Sequence, residues 1–114
     1  MQVDNQTRGR PLITHGELAD TFWTRFRGLM GRTSLPEGGG LVLKGEKSIH
    51  TFFMRFPIDV VYADRRGRVV RVDMAMPPSR IGPFVAQSTY ILELPAGVIQ
   101  ATGTSLGDQL NLKT

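Results

Sequence analysis

Two polar residues stand inside otherwise apolar parts of the segment His50–Asp64: the imidazole of His50 and the carboxylate of Asp59. Charges within apolar strands are costly unless a partner satisfies them. An imidazole exchanges a proton near neutral pH, and a carboxylate can orient it for that task. We therefore take His50 and Asp59 as a candidate catalytic dyad that meets across the bend at Phe56-Pro57. The alternative is structural, with His50 hydrogen-bonded inside the fold and Asp59 accepting backbone N–H groups or pairing with an arginine.

The same region also suits ligand binding. Strand alternation puts His50, Phe52 and Met54 on one face. Apolar walls with a few polar groups are typical of small-molecule pockets. We predict a binding site that holds a small molecule, a sugar or a peptide. Its candidate residues are His50, Thr51, Met54, Asp59 and, as an anion clamp on the preceding helix, Arg27.

Metal and cofactor chemistry have little support in the sequence. The chain has no cysteine, which excludes disulfides and thiolate ligands. Its two histidines, His15 and His50, lie in no spacing typical of a metal site. The loop Gly38-Gly39-Gly40 lacks the following helix and Gly-Lys-Ser/Thr of a phosphate cradle. We predict no metal and no cofactor.

Arginines concentrate at one turn, where four of them could contact a nucleic acid. No recognised nucleic-acid motif accompanies them, and Tyr62 alone adds a nearby aromatic ring. The pattern favours a solvated, charged turn and disfavours nucleic acid as a partner. The four residues are Arg65, Arg66, Arg68 and Arg71.

Composition limits the remaining classes. The chain has 114 residues, 40% of them hydrophobic and 21% charged, with a net charge of +4. These values are typical of one globular domain. No apolar run approaches the ~20 residues of a membrane span, and no signal peptide is visible at the start. We predict a cytoplasmic protein, with a secreted mature form as the alternative; the oligomeric state is left open.

Local patterns predict a flexible N-terminus over 1–9 and a single β-rich domain over 10–114. A helix is expected over 21–30, capped by Asp20 or Thr21, and a short helical turn near 98–102. The loop 79–88 is long enough to form a lid or rim. Period-two alternation and turn residues predict the strands 12–14, 41–43, 48–54, 58–64, 69–76, 89–94 and 108–112. This pattern indicates a mainly β protein, a compact antiparallel β-sandwich or barrel with one N-terminal helix and a short C-terminal helical turn.

Several short motifs along the chain occur together in one known family. They are Arg25–Arg32, Phe53-Met54, Pro57-Ile58-Asp59, Asp64 with Gly67–Val70, Tyr90–Leu94 with Ala96-Gly97, and Gly107-Asp108. In this combination the chain resembles the widespread prokaryotic domain-of-unknown-function family 192, over residues 11–112. The resemblance implies a mainly antiparallel fold of sandwich type and no activity, because none is assigned to the family.

One position departs from the family pattern. The family's strand commonly reads Phe-Trp-Met-Lys-Asn-Thr, whereas this chain has Phe56 where that asparagine stands. Any role that the asparagine amide has in relatives is therefore absent here.

Three functions remain, and whether the protein is an enzyme stays open. The favoured one is a binding module with its pocket near His50, edged by the loop 79–88. The second is a hydrolase or lyase in which His50 is the base, Asp59 its orienting group and Arg27 a clamp for negative charge. The third is a nucleic-acid accessory module that uses the arginine-rich turn.

Overall fold

The computed structural model describes residues 1–113, with the backbone alone at Phe22, Trp23 and Phe26. This part of the chain is mainly β, with eight strands and two short helices. In order, the elements are β1 (Gln2–Asn5), β2 (Arg10–Ile13), β3 (Glu17–Ala19), α1 (Phe22–Arg27), β4 (Leu41–Lys44), β5 (Ile58–Ala63), β6 (Val69–Met76), β7 (Tyr90–Pro95), α2 (Val98–Thr102) and β8 (Leu110–Lys113).

The strands form two open sheets. The smaller sheet has the order β2-β1-β8, and the larger has the order β3-β4-β7-β5-β6. Neighbouring strands are antiparallel except β3 and β4, which are parallel. The mainly β prediction is confirmed. The barrel alternative is wrong because neither sheet closes on itself.

Both faces of the larger sheet are covered, so its central strands are buried except at some of their ends. One face packs on the smaller sheet through a cluster that includes Val3, Ile13, Val42, Val61 and Leu92. The opposite face, which we call the pocket face, packs on the connections outside the sheet. Its cluster includes Leu29, Leu43, Ile49, Val60 and Ile91. Adjacent residues of a central strand therefore point to opposite faces and belong to different hydrophobic clusters.

The ten-residue N-terminal helix expected over 21–30 is not seen; in its place α1 has six residues. Thr21 caps it, because the Thr21 side chain accepts from the backbone N–H of Thr24 at 3.1 Å. The helix ends at Gly28, whose φ of 48° lies in a region that glycine adopts readily. Gly28 therefore ends the helix three residues before the end that the prediction over 21–30 gave it.

Residues 1–9 also differ from the flexible terminus expected from their polarity. Gln2–Asn5 form β1, the middle strand of the smaller sheet, and pair with both β2 and β8. Val3 and Asn5 are fully buried. One of the two partners of β1 is β8, at the far end of the chain. The local sequence of β1 therefore gives little indication that a strand forms there.

The strand predicted over 48–54 is also wrong. His50 makes one isolated antiparallel bridge with Ile81, and the rest of the segment is irregular. Thr51 N donates to Arg80 O at 2.8 Å, and Gly82 N donates to Ile49 O at 2.8 Å. The segment therefore runs beside the loop 79–88 instead of joining the sheet.

β6 forms one edge of the larger sheet and is bent. It pairs with β5 in a hairpin whose turn contains Gly67 at a φ of 80°. The register shifts twice along the pair, and Ala75 adopts a left-handed φ of 49°.

Among the described residues, the helices are too short to cross a membrane.

Candidate ligand pocket

A cavity of about 410 Å³ opens on the pocket face of the larger sheet. It is bounded by that face, by the C-terminal end of α1 and by the irregular segment that carries His50. Its apolar wall consists of Leu43, Ile49, Phe52 and Ile81. Its polar side chains are Arg25, Arg27, Glu46, Ser48, His50 and Glu93.

Glu93 is the most unusual group of the pocket. It lies in β7 between β4 and β5, in register with Leu41 and Val60, and is 1% exposed. No hydrogen-bond partner for its enclosed Oε2 occurs among the residues that the structure describes. Burial raises the pKa of Glu93 to about 8, against an opposing effect of Arg32. At neutral pH the side chain is therefore mostly a neutral carboxylic acid, able to donate one hydrogen bond.

Gly28 brings the backbone at the end of α1 against that carboxyl group. A Cβ at this position would lie 3.1 Å from Glu93 Oε1. Its φ of 48° also disfavours other residues. The glycine that ends the helix therefore also leaves room for the carboxyl group.

Two arginines of α1 line the pocket in different states. Arg25 is engaged: its Nε lies 2.9 Å from Glu46 Oε1, and its Nη1 donates to Lys44 O at 3.0 Å. Arg27 is exposed, and the described residues provide its guanidinium with no ion-pair partner. Because Glu46 balances the charge of Arg25, the positive charge of Arg27 gives these three side chains a net positive charge.

His50 stands at the pocket with a defined ring orientation. Its Nδ1 accepts a hydrogen bond from the backbone N–H of Phe52 at 3.2 Å. The ring also stacks on the Phe52 ring, with centroids 5.4 Å apart. An accepting Nδ1 assigns the proton of the neutral imidazole to Nε2. His50 and Arg27, two of the predicted binding residues, thus line the same cavity.

Thr51 and Met54 lie elsewhere. Thr51 is fully buried, and its hydroxyl donates to Pro77 O at 2.7 Å and accepts from Arg80 N at 2.8 Å. Met54 is 6% exposed within the apolar cluster of the pocket face. Neither lines the cavity. Thr51 is engaged by the backbone at Pro77 and Arg80, and Met54 belongs to the hydrophobic core.

Asp59 lies on the other face of the sheet, toward the smaller sheet. Its neighbour in register on β7 is Leu94, and it is 1% exposed. Its Oδ1 accepts from Ala75 N at 2.8 Å, while its Oδ2 accepts from Gly97 N at 3.0 Å and Ile99 N at 2.9 Å. The structure therefore does not bring His50 and Asp59 together; the carboxylate serves the backbone around α2.

The arginine-rich turn is exposed, and its electrostatics are partly local. Arg71 makes a close ion pair with Asp73, with Nη2 2.8 Å from Oδ1. Asp64 Oδ1 accepts from the backbone N–H groups of Arg66 and Arg68, which shapes the turn. Arg65, Arg66 and Arg68 are exposed.

Sequence reasoning missed Glu93, Arg25 and Glu46. The signal for Glu93 was available, since it is a charged residue within the apolar strand Tyr90–Pro95, as Asp59 is within β5. Alternation alone did not tell whether the face of the strand that carries Glu93 is buried or exposed. No cluster of three or more His, Asp or Glu suited to a metal occurs within residues 1–113.

Known proteins resemble this chain over nearly its whole length. The family model described as Uncharacterized ACR, domain-of-unknown-function family 192, matches residues 3–112. A UPF0127 protein of Thermococcus gammatolerans is 39% identical over 96% of this chain and 73% of its own length. A UPF0127 protein of Thermococcus sibiricus is 35% identical over 94% of this chain and 71% of its own length.

Two solved structures share the fold. A protein of unknown function from Novosphingobium aromaticivorans has a TM-score of 0.83 and 20% identity, over 97% of this chain and 82% of that one. A proposed transcription regulator from Sinorhizobium meliloti has a TM-score of 0.79 and 24% identity, over 96% of this chain and 89% of that one. At such identities the likeness extends to the fold alone.

Proposed function

Because the chain belongs to domain-of-unknown-function family 192, which has no assigned activity, we propose its function from the pocket itself: the protein binds a small molecule beside His50 and Glu93. The observation that carries this proposal is the enclosed Oε2 of Glu93, which has no partner among the described residues. An unsatisfied buried polar group costs about 1–3 kcal/mol. A ligand that supplies the missing hydrogen bond recovers this cost on binding.

The dimensions and lining of the cavity support the same conclusion. Its volume of about 410 Å³ lies within the usual range for ligand pockets, roughly 300–1,000 Å³. Four apolar side chains form the wall, and six polar side chains are available to orient a ligand. The loop 79–88 contributes Ile81 to the rim, the role that its length suggests. We also propose that the two sheets, which pack on a shared hydrophobic cluster, form the predicted β-sandwich. We still expect a cytoplasmic location.

A second candidate function is proton transfer within the same pocket. A carboxyl group with a pKa near 8 is suited to general acid–base catalysis around neutral pH. In this version Glu93, and not Asp59, would exchange the proton, because Asp59 is committed to three backbone amides. A hydrolase or lyase thus remains an alternative, with His50 and Arg27 beside Glu93.

The nucleic-acid alternative has weaker support. Asp73 partly neutralises Arg71, and the resemblance to the Sinorhizobium meliloti protein extends to its fold alone. An interaction with nucleic acid through this turn would also weaken steeply as salt rises. We retain it only as the third hypothesis.

The test is a screen of small acids, amines, sugars and neutral compounds against the isotope-labelled protein by amide NMR. We expect bound compounds to shift the amide signals of Gly28, Ile49 and Glu93. Glu93→Leu should weaken these compounds about tenfold, the cost of one hydrogen bond. Glu37→Leu, which replaces an exposed glutamate, is the matched control and should leave binding unchanged.

Two results would contradict the proposal. One is a screen in which none of the four chemical classes shifts the pocket amides. The other is a set of pocket-binding compounds whose affinity for Glu93→Leu equals that for the unmodified protein.

A further inference from the structure

The charges around the pocket narrow the class of ligand, provided that the proposed function holds. Glu46 balances Arg25 through their ion pair at 2.9 Å. Arg27 lines the opening, is exposed and has no ion-pair partner among the described side chains. His50 adds no negative charge. The opening is therefore suited to an anion, and a guanidinium binds a carboxylate with two parallel hydrogen bonds.

The floor of the pocket has a different character. Glu93 is 1% exposed, and its Oε2 lacks a partner within residues 1–113. Burial keeps this side chain mostly protonated at neutral pH, since its pKa is about 8. A neutral carboxyl group donates one hydrogen bond and accepts others. It can therefore form hydrogen bonds with a hydroxyl, a carbonyl or an amide group of a ligand. Because the carboxyl group is neutral, it does not require a positively charged ligand group beside it.

The wall between these two regions is apolar. Leu43 and Ile49 extend it from the buried core, and Phe52 and Ile81 complete it near the opening, where they are 39% and 74% exposed. A ligand body that lies along these side chains gains from burial of apolar surface, about 25 cal/mol per Å². A sugar, which is polar throughout, would leave hydroxyl groups unsatisfied against this wall.

We propose that the ligand is a small organic carboxylate with three parts: an anionic head at Arg27, an apolar body along the wall, and a hydroxyl or carbonyl group that reaches Glu93. This inference deepens the binding function and depends on it. An amine is the competing class, since it could ionise Glu93 and pair with it.

A set of matched probes tests the inference by calorimetry at pH 7. Para-hydroxyphenylpropanoate carries all three parts. Para-hydroxyphenylpropanamide replaces the anionic head with a neutral one, para-hydroxyphenylpropylamine replaces it with a cation, and phenylpropanoate lacks the hydroxyl group. We expect the complete probe to bind about tenfold more tightly than each of the others, as loss of one good polar contact predicts.

Variants assign each contact. Arg27→Gln should reduce the affinity for the complete probe to that for the neutral amide, and leave the amide itself unaffected. Arg65→Gln, at the exposed hairpin turn, is the matched control for overall charge and should change neither. Glu93→Leu should abolish the preference for the hydroxyl group. Added salt should weaken the carboxylate more than the amide, because Arg27 is exposed.

The outcomes separate the inference from the proposed function. Tightest binding of the amine, with release of about one proton per ligand, would overturn the carboxylate class, because the proton would come from Glu93. The carboxylate class also fails if other library compounds shift the pocket amides while the carboxylates do not bind. If no compound of any class shifts those amides, both the inference and the binding function fail.

Discussion

At the scale of single residues, Glu93 is a charged residue of an apolar strand whose burial in the pocket the strand alternation does not reveal. The residue occupies the pocket face of a strand that lies between two others. Its burial disfavours the ionised form, which is why its pKa lies near 8 instead of 4.5. The cost of holding a lone polar group in the core therefore depends on pH.

This cost predicts a pH-dependent stability that Glu93→Gln removes. Between pH 4.5 and about 8 the unfolded chain releases the Glu93 proton while the folded chain keeps it. The folded state therefore binds the Glu93 proton more tightly than the unfolded state does. The stability that this difference contributes is fully present below pH 4.5 and is lost as the pH rises through about 8. Across this interval Glu93 should lower the free energy of unfolding by about 1.4 kcal/mol per pH unit.

Urea unfolding at several pH values between 5 and 8 measures the effect. Glutamine has a similar shape and no ionisation, so the slope attributed to Glu93 should disappear in the variant. Glu37→Gln, at an exposed position, should keep the slope. Equal slopes for Glu93→Gln and the unmodified protein would show that the buried carboxyl group titrates normally.

At the scale of elements, Asp59 joins three parts of the fold. The five-residue α2 is too short to be stable alone, and its N-cap residue, Gly97, provides no side-chain bond. Asp59 on β5 takes that role from a distance by accepting from Gly97 N and Ile99 N. Its other oxygen accepts from Ala75 N at the left-handed position in β6. One carboxylate thus positions α2 and the bend of the edge strand together.

We expect Asp59→Ala to destabilise the fold without a specific effect on the pocket. Three buried or partly buried N–H groups would lose their acceptor, at a combined cost of about 3–5 kcal/mol in the free energy of unfolding. Asp59→Asn keeps one acceptor oxygen and should cost less. Urea unfolding measures both variants, and probe binding is measured at a temperature where each is folded. Normal stability with lost binding in Asp59→Asn would instead support a role of Asp59 at the ligand site.

At the scale of the whole molecule, a polar network around the buried Asp108 joins the two ends of the chain. Asp108 is 3% exposed and accepts from Arg8 Nε at 2.8 Å, from Asn5 Nδ2 at 3.0 Å and from Ser105 N at 3.0 Å. The bond from Arg8 contributes most to lowering the pKa of Asp108 to about 2, against the opposing effect of burial. Contacts between residues about a hundred positions apart stabilise the smaller sheet.

This network predicts a specific loss of stability in acid. The pKa of Asp108 is lower in the folded chain than its usual 3.8, so its stabilisation is complete above pH 3.8 and is lost as the pH falls to about 2. Asp108→Asn should lower the free energy of unfolding at neutral pH by roughly 1–3 kcal/mol. The difference between variant and unmodified protein should then shrink across that acid interval. Thermal unfolding followed by circular dichroism checks this, and a difference that does not change with pH would contradict it.

The success of sequence reasoning depended on how local each feature is. The hairpin at Gly67, the strand Tyr90–Pro95 and the helical turn after Gly97 have their signals within a few residues, and they are present. The strand Gln2–Asn5 was missed because its partners come from elsewhere, including β8 at the far end of the chain. The segment around His50 has the composition of a strand, yet Phe53 takes a left-handed φ of 63° and interrupts it. His50 was identified by its type, whereas Glu93 required knowledge of the strand order.

The bent outer strand of the larger sheet has a consequence for behaviour in concentrated solution. A regular exposed edge presents unpaired N–H and C=O groups on which another chain can build. Here one rim of the sheet is the shifted, kinked β6, and the other is β3, three residues long with Glu17 held by Arg32 at 2.7 Å. Neither offers a long flat template. The larger sheet therefore disfavours growth into fibrils by strand addition at its edges, even though its central strands are among the most apolar segments of the chain.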